Sequence, residues 1–353
     1  MNKQKTILVA PLNWGLGHAT RCIPIVRALI AHNYNVLLGS DGGALLFLRK
    51  EFPQLPSIEL PSYNITYPKK GHYFKLNLFL NLPQIQKTIS IEKKLIKKLV
   101  AKDKIDGIIS DNRLGVYNKK VPSVIITHQL SVLSGITSFF SSKLHQRIIK
   151  KFDACWVPDV DGPHNLSGKL GHPKKIDFEV LYIGPLSRMV KKEMPCKYDV
   201  LVLLSGPEPQ RTILELELME VFLNSSEKVL MVRGVVEGSQ QVSERKNITI
   251  VNFMQSEGLE KAINESKIVV SRSGYTTVMD LAAMEKPAFF IPTPGQYEQE
   301  YLAKQLRDNG IVPSCKQKEF SLDKLNEISH FKGLRSFKSE PDYSQLFGSF
   351  EGK

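Results

Sequence analysis

Nowhere in the 353 residues do about 18 apolar positions run together, which excludes an ordinary membrane-spanning helix. Cysteine is scarce. Cys22, Cys155, Cys196 and Cys315 stand far apart, without the paired spacings of a zinc site or a disulfide framework, so a reducing cytoplasm is the expected compartment. The opening MNKQKTILVAPL passes from a few polar residues straight into a strand-like run, with no longer apolar segment and no small-residue cleavage site, and no export is expected. A Gly-x-Gly follows that run, but no further glycine completes the dinucleotide fingerprint, and no G-x-x-x-x-G-K-[ST] loop occurs. A nicotinamide dehydrogenase and a phosphate-loop NTPase are therefore disfavoured. No histidine makes a metal-ligand spacing with a cysteine or carboxylate, so zinc is not expected. Zinc fingers, RNP motifs and basic strands interleaved with aromatics are missing too, which argues against nucleic acid.

What is present describes a globular enzyme-sized chain, with hydrophobic residues at 42% and charged residues at 24%. The length exceeds one ordinary core and suggests two domains. Charge divides unevenly between them. Residues 1–190 hold 27 Lys/Arg against 12 Asp/Glu, a balance of +15, which leaves −2 for residues 191–353. The basic first half suits an anionic partner, with a merely solvated basic face as the plain alternative.

Both halves begin alike. Ile7 to Leu12 reads as a buried strand, followed by the loop Asn13 to His18 and a helical run from Ala19 to His32. Tyr198 to Leu204 starts a second strand–loop–helix unit through Ser205-Gly206-Pro207-Glu208-Pro209 and Arg211 to Leu223. Further strand candidates follow in each half, separated by segments long enough for crossover helices. The alternation predicts α/β architecture: two doubly wound parallel sheets, 1–190 and 191–353, facing an interdomain cleft. The junction runs from Tyr182 to Lys197.

Three constellations carry chemistry. Gly15-Leu16-Gly17-His18 opens a helix directly after the first strand, allowing close backbone approach and offering amides to an anion; His18 there can accept a proton near neutral pH, or else merely cap the helix. Asp159-Val160-Asp161 has the form of a metal-holding acid pair, although a polar loop explains it equally well, and no metal is expected. Ser271-Arg272-Ser273-Gly274 turns from a strand into the helix Thr276 to Met284, where amides, the Ser273 and Thr276 hydroxyls and the Arg272 charge suit a nucleotide diphosphate. Asp280 lies one turn beyond Thr276, placed for ribose hydroxyls. Gln299 and Glu300 open a later helix over the cleft, placed for a sugar's hydroxyls.

The order R-S-G, an acid eight residues after the arginine, P-x-x-x-x-P and then a Q-[QE] pair resembles the donor-binding signature of glycosyltransferase family 28, whose fold is GT-B. The resemblance is carried by residues 9–28 and 248–303. It implies that Gly15 and Gly17 form the loop presenting His18 as base, that Ser273 and Thr276 meet the diphosphate in a donor site that also includes Arg272 and Gly274, and that Asp280 holds the ribose. It further implies that Met254 lies at a uracil and that Gln299 and Glu300 face the donor sugar. Two departures stand out. Asp280 is shorter than the family's glutamate, and Glu300 replaces an amide. The prolines of the 205–209 loop also remove amide donors.

From the resemblance follow inverting transfer of a hexose, N-acetylglucosamine by expectation, from a uridine diphosphate donor to an acceptor hydroxyl, and no cofactor. The acceptor it implies is lipid-linked or a cell-envelope glycan, taken at the membrane surface. Residues 73–104 fit that, since Ile91, Leu95 and Leu99 recur at four-residue spacing beside Lys93, Lys94, Lys97 and Lys98, an amphipathic basic helix suited to anionic lipid. Phe139-Phe140 followed by Lys143, Arg147, Lys150 and Lys151 has the same character. A cytoplasmic protein able to attach to the inner face of the plasma membrane is the expectation. Competing readings are a UDP-sugar hydrolase or 2-epimerase on the same fold, and a non-catalytic sugar-nucleotide sensor.

Overall fold

The run Ile7-Leu8-Val9-Ala10 is sealed from water on both of its faces, which requires helices on either side of the sheet it belongs to. In the computed structural model, which describes residues 4–63, 82–131, 138–206, 208–335, 337 and 341–351, that run forms β1 (Thr6–Pro11) at the centre of a seven-stranded sheet. Following it are α1 (Gly17–Ala31), β2 (Asn35–Ser40), α2 (Gly42–Glu51), β3 (Ser57–Glu59) and α3 (Leu82–Ala101). β4 (Gly107–Asp111), β5 (Ser123–Ile126), α4 (Ser138–Ile149), β6 (Ala154–Val157) and β7 (Leu181–Tyr182) complete the first domain. The strand order is β3-β2-β1-β4-β5-β6-β7 and every pairing is parallel.

A second sheet repeats the plan from β8 (Tyr198–Leu203) through α5 (Gln210–Leu223), β9 (Val229–Val232), β10 (Val242–Arg245) and β11 (Ile248–Val251). Then come α6 (Ser256–Asn264), β12 (Ser266–Ser271), α7 (Tyr275–Ala283), β13 (Ala288–Phe290) and α8 (Tyr297–Asp308). Its order is β10-β11-β9-β8-β12-β13, with only the edge pair β10–β11 antiparallel. The expected α/β pattern of two doubly wound sheets is thus the fold.

The chain changes sheets between Tyr182 and Tyr198, and its last described segment departs from a simple division at residue 190. The helix α9 (Tyr343–Gly348) returns to the first domain. There Phe347 packs edge-on against Tyr34, and Lys5 Nζ donates to Phe350 O at 2.6 Å. Gly107 at the start of β4 is the matching concession, since a Cβ there would lie 2.6 Å from the Phe350 ring. One continuous core consequently contains residues of both sheets and of this tail.

Candidate active site

Each sheet reverses its strand order once, between β1 and β4 in the first and between β8 and β12 in the second. Loops leaving the carboxyl ends of strands beside such a point diverge and open a crevice. Here the two crevices share one cavity of about 470 Å³, lined by both domains and within the range of small-molecule sites. The β1–α1 loop enters it through Gly15, whose φ of 75° is a left-handed value that glycine adopts without strain. Gly17 follows, and a Cβ on it would lie 3.2 Å from Thr276 Oγ1 of the other domain. Thr276 in turn donates to Gly17 O at 3.1 Å, so the starts of α1 and α7 meet across the cleft. Neither helix is capped by a side chain, which leaves their first amides facing the cavity end of each helix.

His18 is turned by a buried carboxylate. Its Nδ1 lies 2.9 Å from Asp111 Oδ1 and 2.9 Å from Arg21 Nη2. Arg21 engages both oxygens of Asp111, with Nε to Oδ2 at 2.5 Å and Nη2 to Oδ1. Burial alone would raise the Asp111 carboxyl, but Arg21 and His18 outweigh it and hold the group well below the usual carboxylate range. An ionised Asp111 accepts from Nδ1–H. That tautomer leaves the Nε2 lone pair free to accept a proton, and His18 lines the cavity.

From Arg21 the network crosses domains. Its Nη1 donates to His128 Nδ1 at 2.9 Å, which fixes His128 Nε2–H as the donor to Glu298 Oε1 at 2.8 Å. Gln129 donates to the other Glu298 oxygen. Burial lowers the His128 pKa against the pull of Glu298, keeping the ring neutral in that role. The imidazole lies flat on Tyr275, with ring centroids 4.3 Å apart. Glu298 would be raised by burial, yet His128 beside it holds it below its ordinary value.

The second domain places the expected donor residues unequally. Met254, Gly274, Thr276, Asp280 and Gln299 line the cavity together with Gly15, Gly17 and His18. Asp280 accepts from Ser187 Oγ at 2.8 Å, and burial raises its pKa against the nearby Arg188 cation. Gln299 Oε1 accepts from Thr293 N at 2.9 Å, and Gln299 lines the cavity.

Three expected contacts lie elsewhere. Arg272, 1% exposed, donates to Ile291 O, Pro292 O and Gln210 O at 3.0–3.1 Å, and burial pushes it down to about 10. It ties the loop after β13 to the start of α5 and does not line the cavity. Ser273, also buried, gives its hydroxyl to Gln299 O at 2.8 Å and so joins α7 to α8. Glu300 is exposed and accepts from Gly295 N at 2.8 Å, because the helical step from Gln299 carries it off the cleft side. The acid of α8 that does line the cavity is Glu298.

The Asp159-Val160-Asp161 loop is organised by Asp159, which accepts from the amides of Val160, Leu166 and Ser167 at 2.8–3.0 Å. Among the described residues no group of three or more His, Cys, Asp or Glu is arranged to hold a metal ion. Ser205 and Gly206 line the cavity, while Pro207 lies outside the described residues.

In α3, Lys94, Lys97 and Lys98 are exposed, and Lys93 lies over the Tyr117 ring at 5.4 Å. The most buried stripe is Thr88, Glu92, Ile96 and Val100, one position along from the expected one, and Ile91 is 43% exposed. Glu92 can be buried because Arg113 Nε, Tyr63 OH and Gly115 N donate to it at 2.7–3.0 Å. Residues 73–81 and the side chains of Phe139 and Phe140 lie outside the described residues. No helix among the described residues is long and apolar enough to cross a membrane.

Asp111, Arg21, His128 and Glu298 escaped the sequence reading. An acid closing a buried strand, as in Gly107-Ile108-Ile109-Ser110-Asp111, and an arginine one helical turn after His18 were the available signals.

Comparison with known proteins gives this geometry a context. Residues 205–330 match the glycosyltransferase family 28 C-terminal domain. An uncharacterized glycosyltransferase of Methanosarcina acetivorans is 24% identical over 321 residues, 84% of this chain and 82% of that protein. The UDP-N-acetylglucosamine–N-acetylmuramyl-(pentapeptide) pyrophosphoryl-undecaprenol N-acetylglucosamine transferase of Mannheimia succiniciproducens is 26% identical over 247 residues, covering 66% of this chain and 65% of that one. Among solved structures, the glycotransferase of kitacinnamycin superposes with a TM-score of 0.62 at 13% identity, over 99% of this chain and 95% of that one. The MurG of Acinetobacter baumannii gives 0.53 at 15% identity, over 93% and 90%. The fold is GT-B.

Proposed function

Starting from a glycosyltransferase of the family 28 type, we propose that this enzyme moves a hexose, N-acetylglucosamine, from a uridine diphosphate donor to an acceptor hydroxyl with inversion. The observation that carries the reading is the opposition of two features across one cavity: His18 backed by Asp111, and the start of α7 with Asp280 behind it.

In this scheme the acceptor O–H yields its proton to His18 Nε2 as its oxygen bonds the anomeric carbon, and the bond from that carbon to the diphosphate oxygen breaks. The departing anion stays against the amides and positive ends of α7 and α1. Asp111 stabilises the imidazolium that forms and keeps its orientation. Asp280 takes the ribose, Met254 lies at the uracil, and Glu298 with the amide of Gln299 holds sugar hydroxyls. Arg272 and Ser273 serve as positioning residues for these loops. The exposed lysines of α3 form the docking face toward an anionic membrane on the cytoplasmic side, within reach of an acceptor held there.

A donor screen by thermal shift tests the base and the sugar together, because tight binding to the folded protein raises its melting temperature. UDP-N-acetylglucosamine is expected to give the largest shift, and turnover is expected to collapse in His18→Ala while that shift persists. A flat response to every nucleotide-sugar sinks the proposal. Free sugar released at the full rate without acceptor would replace transfer by hydrolysis, and an altered C2 configuration would replace it by epimerisation.

A further inference from the structure

We propose that Asn112 and His145 are acceptor-specificity residues, which bind a hydroxyl neighbouring the one that reacts and so select a polyol over a lone alcohol. This deepens the glycosyl-transfer reading and rests on it. Both residues belong to the first domain and line the cavity together with His18. Asn112 follows β4, at the reversal of strand order, and His145 lies on α4. Asn112 Oδ1 and His145 Nε2 are buried and have no hydrogen-bond partner among the described residues. Each stands close to the base. Asp111, which orients His18, is the neighbour of Asn112 in the chain, and His128, which Arg21 joins to Asp111, is near enough to His145 to influence its charge. Asn112 holds a left-handed φ of 58°, a value that asparagine tolerates better than most residues.

Unpaired polar atoms set a demand on whatever fills the cavity. Water satisfies such atoms in a hydrated cleft, but an acceptor seated against His18 displaces it and has to return the hydrogen bonds it made. Asn112 Oδ1 only accepts, so it calls for an O–H or N–H. His145 is pushed down to about 4 by burial, with His128 adding to the effect, and its uncharged ring pairs with a hydroxyl in either tautomer. A hydroxyl, donor and acceptor at once, therefore suits both atoms. A lone alcohol gives its single O–H to His18 and leaves the pair dry. A second hydroxyl removes that loss. Leu12, Trp14, Tyr63 and Leu114 line the cavity from the same domain and offer apolar surface to the carbon skeleton. Arg188, whose Nε and Nη1 are also unpartnered, lies beside Asp280 and over the Phe47 ring at 5.4 Å, which puts it at the nucleotide end in this scheme.

The test uses the full chain, the UDP-sugar that gives the largest thermal shift, and three acceptors that share one apolar tail. These are n-octanol, 1-O-octylglycerol and n-octyl β-glucopyranoside, kept below micelle formation, with the hexosides identified by mass. At least one polyol is expected to exceed octanol about tenfold or more in kcat/KM, the cost of leaving a buried polar atom unpaired. Whichever of the two leads tells a glycerolipid source from a sugar. Asn112→Gly keeps the left-handed backbone and His145→Phe keeps the ring. Each is expected to cut the polyol's lead over octanol about fivefold, with the donor thermal shift and the melting temperature of the free protein kept, and His145→Gln is expected to restore part of it. Octanol matching both polyols, or no transfer to any of the three by protein that binds the donor, overturns the inference and leaves glycosyl transfer standing. A lead unchanged in both variants overturns it as well. A flat thermal shift with every nucleotide-sugar removes this inference and the functional reading together.

Discussion

The β1–α1 and β12–α7 turns are the same device used in opposite ways. Each leads from a buried strand at a reversal of strand order into a helix whose first amides are open to the cleft. In the first turn a side chain faces the cavity, His18, with Asp111 and Arg21 beneath it. In the second the strongest side chains point away: Arg272 grips three carbonyls and Ser273 ties α7 to α8. One turn presents a titratable side chain to the cavity, and the other keeps its charged side chain on backbone carbonyls. A charged residue in a turn motif is therefore no guide to its direction until the carbonyls around it are counted.

Substitutions at the two turns should separate these roles. The largest effect is expected from His18→Ala, which should lower kcat by about 10²–10⁴-fold with donor affinity kept, as followed by steady-state kinetics and donor thermal shift. Should donor binding disappear as well, the first turn would be acting like the second. Arg272→Ala should instead cost about 3 kcal/mol of stability, read from the urea midpoint, since three buried carbonyls lose a charged donor. A higher donor Kd with an unchanged midpoint would restore Arg272 to the diphosphate.

Acidification gives a further contrast. The Asp111 pKa is depressed on folding, so its contribution is complete above an unfolded aspartate's value of about 3.9 and is lost as pH falls below it. The wild-type urea midpoint should drop steeply in that acid range, and the drop should be shallower in Asp111→Asn. Asp280→Ala is expected to weaken the donor about tenfold, or about 1.4 kcal/mol, by titration calorimetry, with little change in turnover at saturation. Smallest of all, Glu300→Gln should shift stability by under about 0.5 kcal/mol and leave sugar preference alone, whereas Glu298→Gln should change it.

The layout was legible because its signals are local. Fully buried strands read as short apolar runs, and Gly15, Gly17, Gly274, Thr276 and Asp280 fall where strand ends and helix starts put them. What escaped depends on distant partners. Glu92 is buried at the price of three donors spread from Tyr63 to Gly115, which no periodicity reveals, and so the core stripe of α3 was read one residue off. Asp111 matters only because Arg21 and His18 reach it from α1, about 90 residues away in sequence. Glu298 and Glu300 are equivalent as letters, and only the phase of α8 decides which one looks into the cleft.

The return of α9 to the first domain means that the polypeptide joins the two lobes twice, once near Pro185 and once beyond Phe337. Two such attachments act like a pair of pins on a door. Swinging about the line through them is easy, whereas sliding or corkscrewing strains both at once. Two joins rather than one leave the lobes fewer ways to move past each other, and Gly17 and Thr276 meet across the cleft they flank.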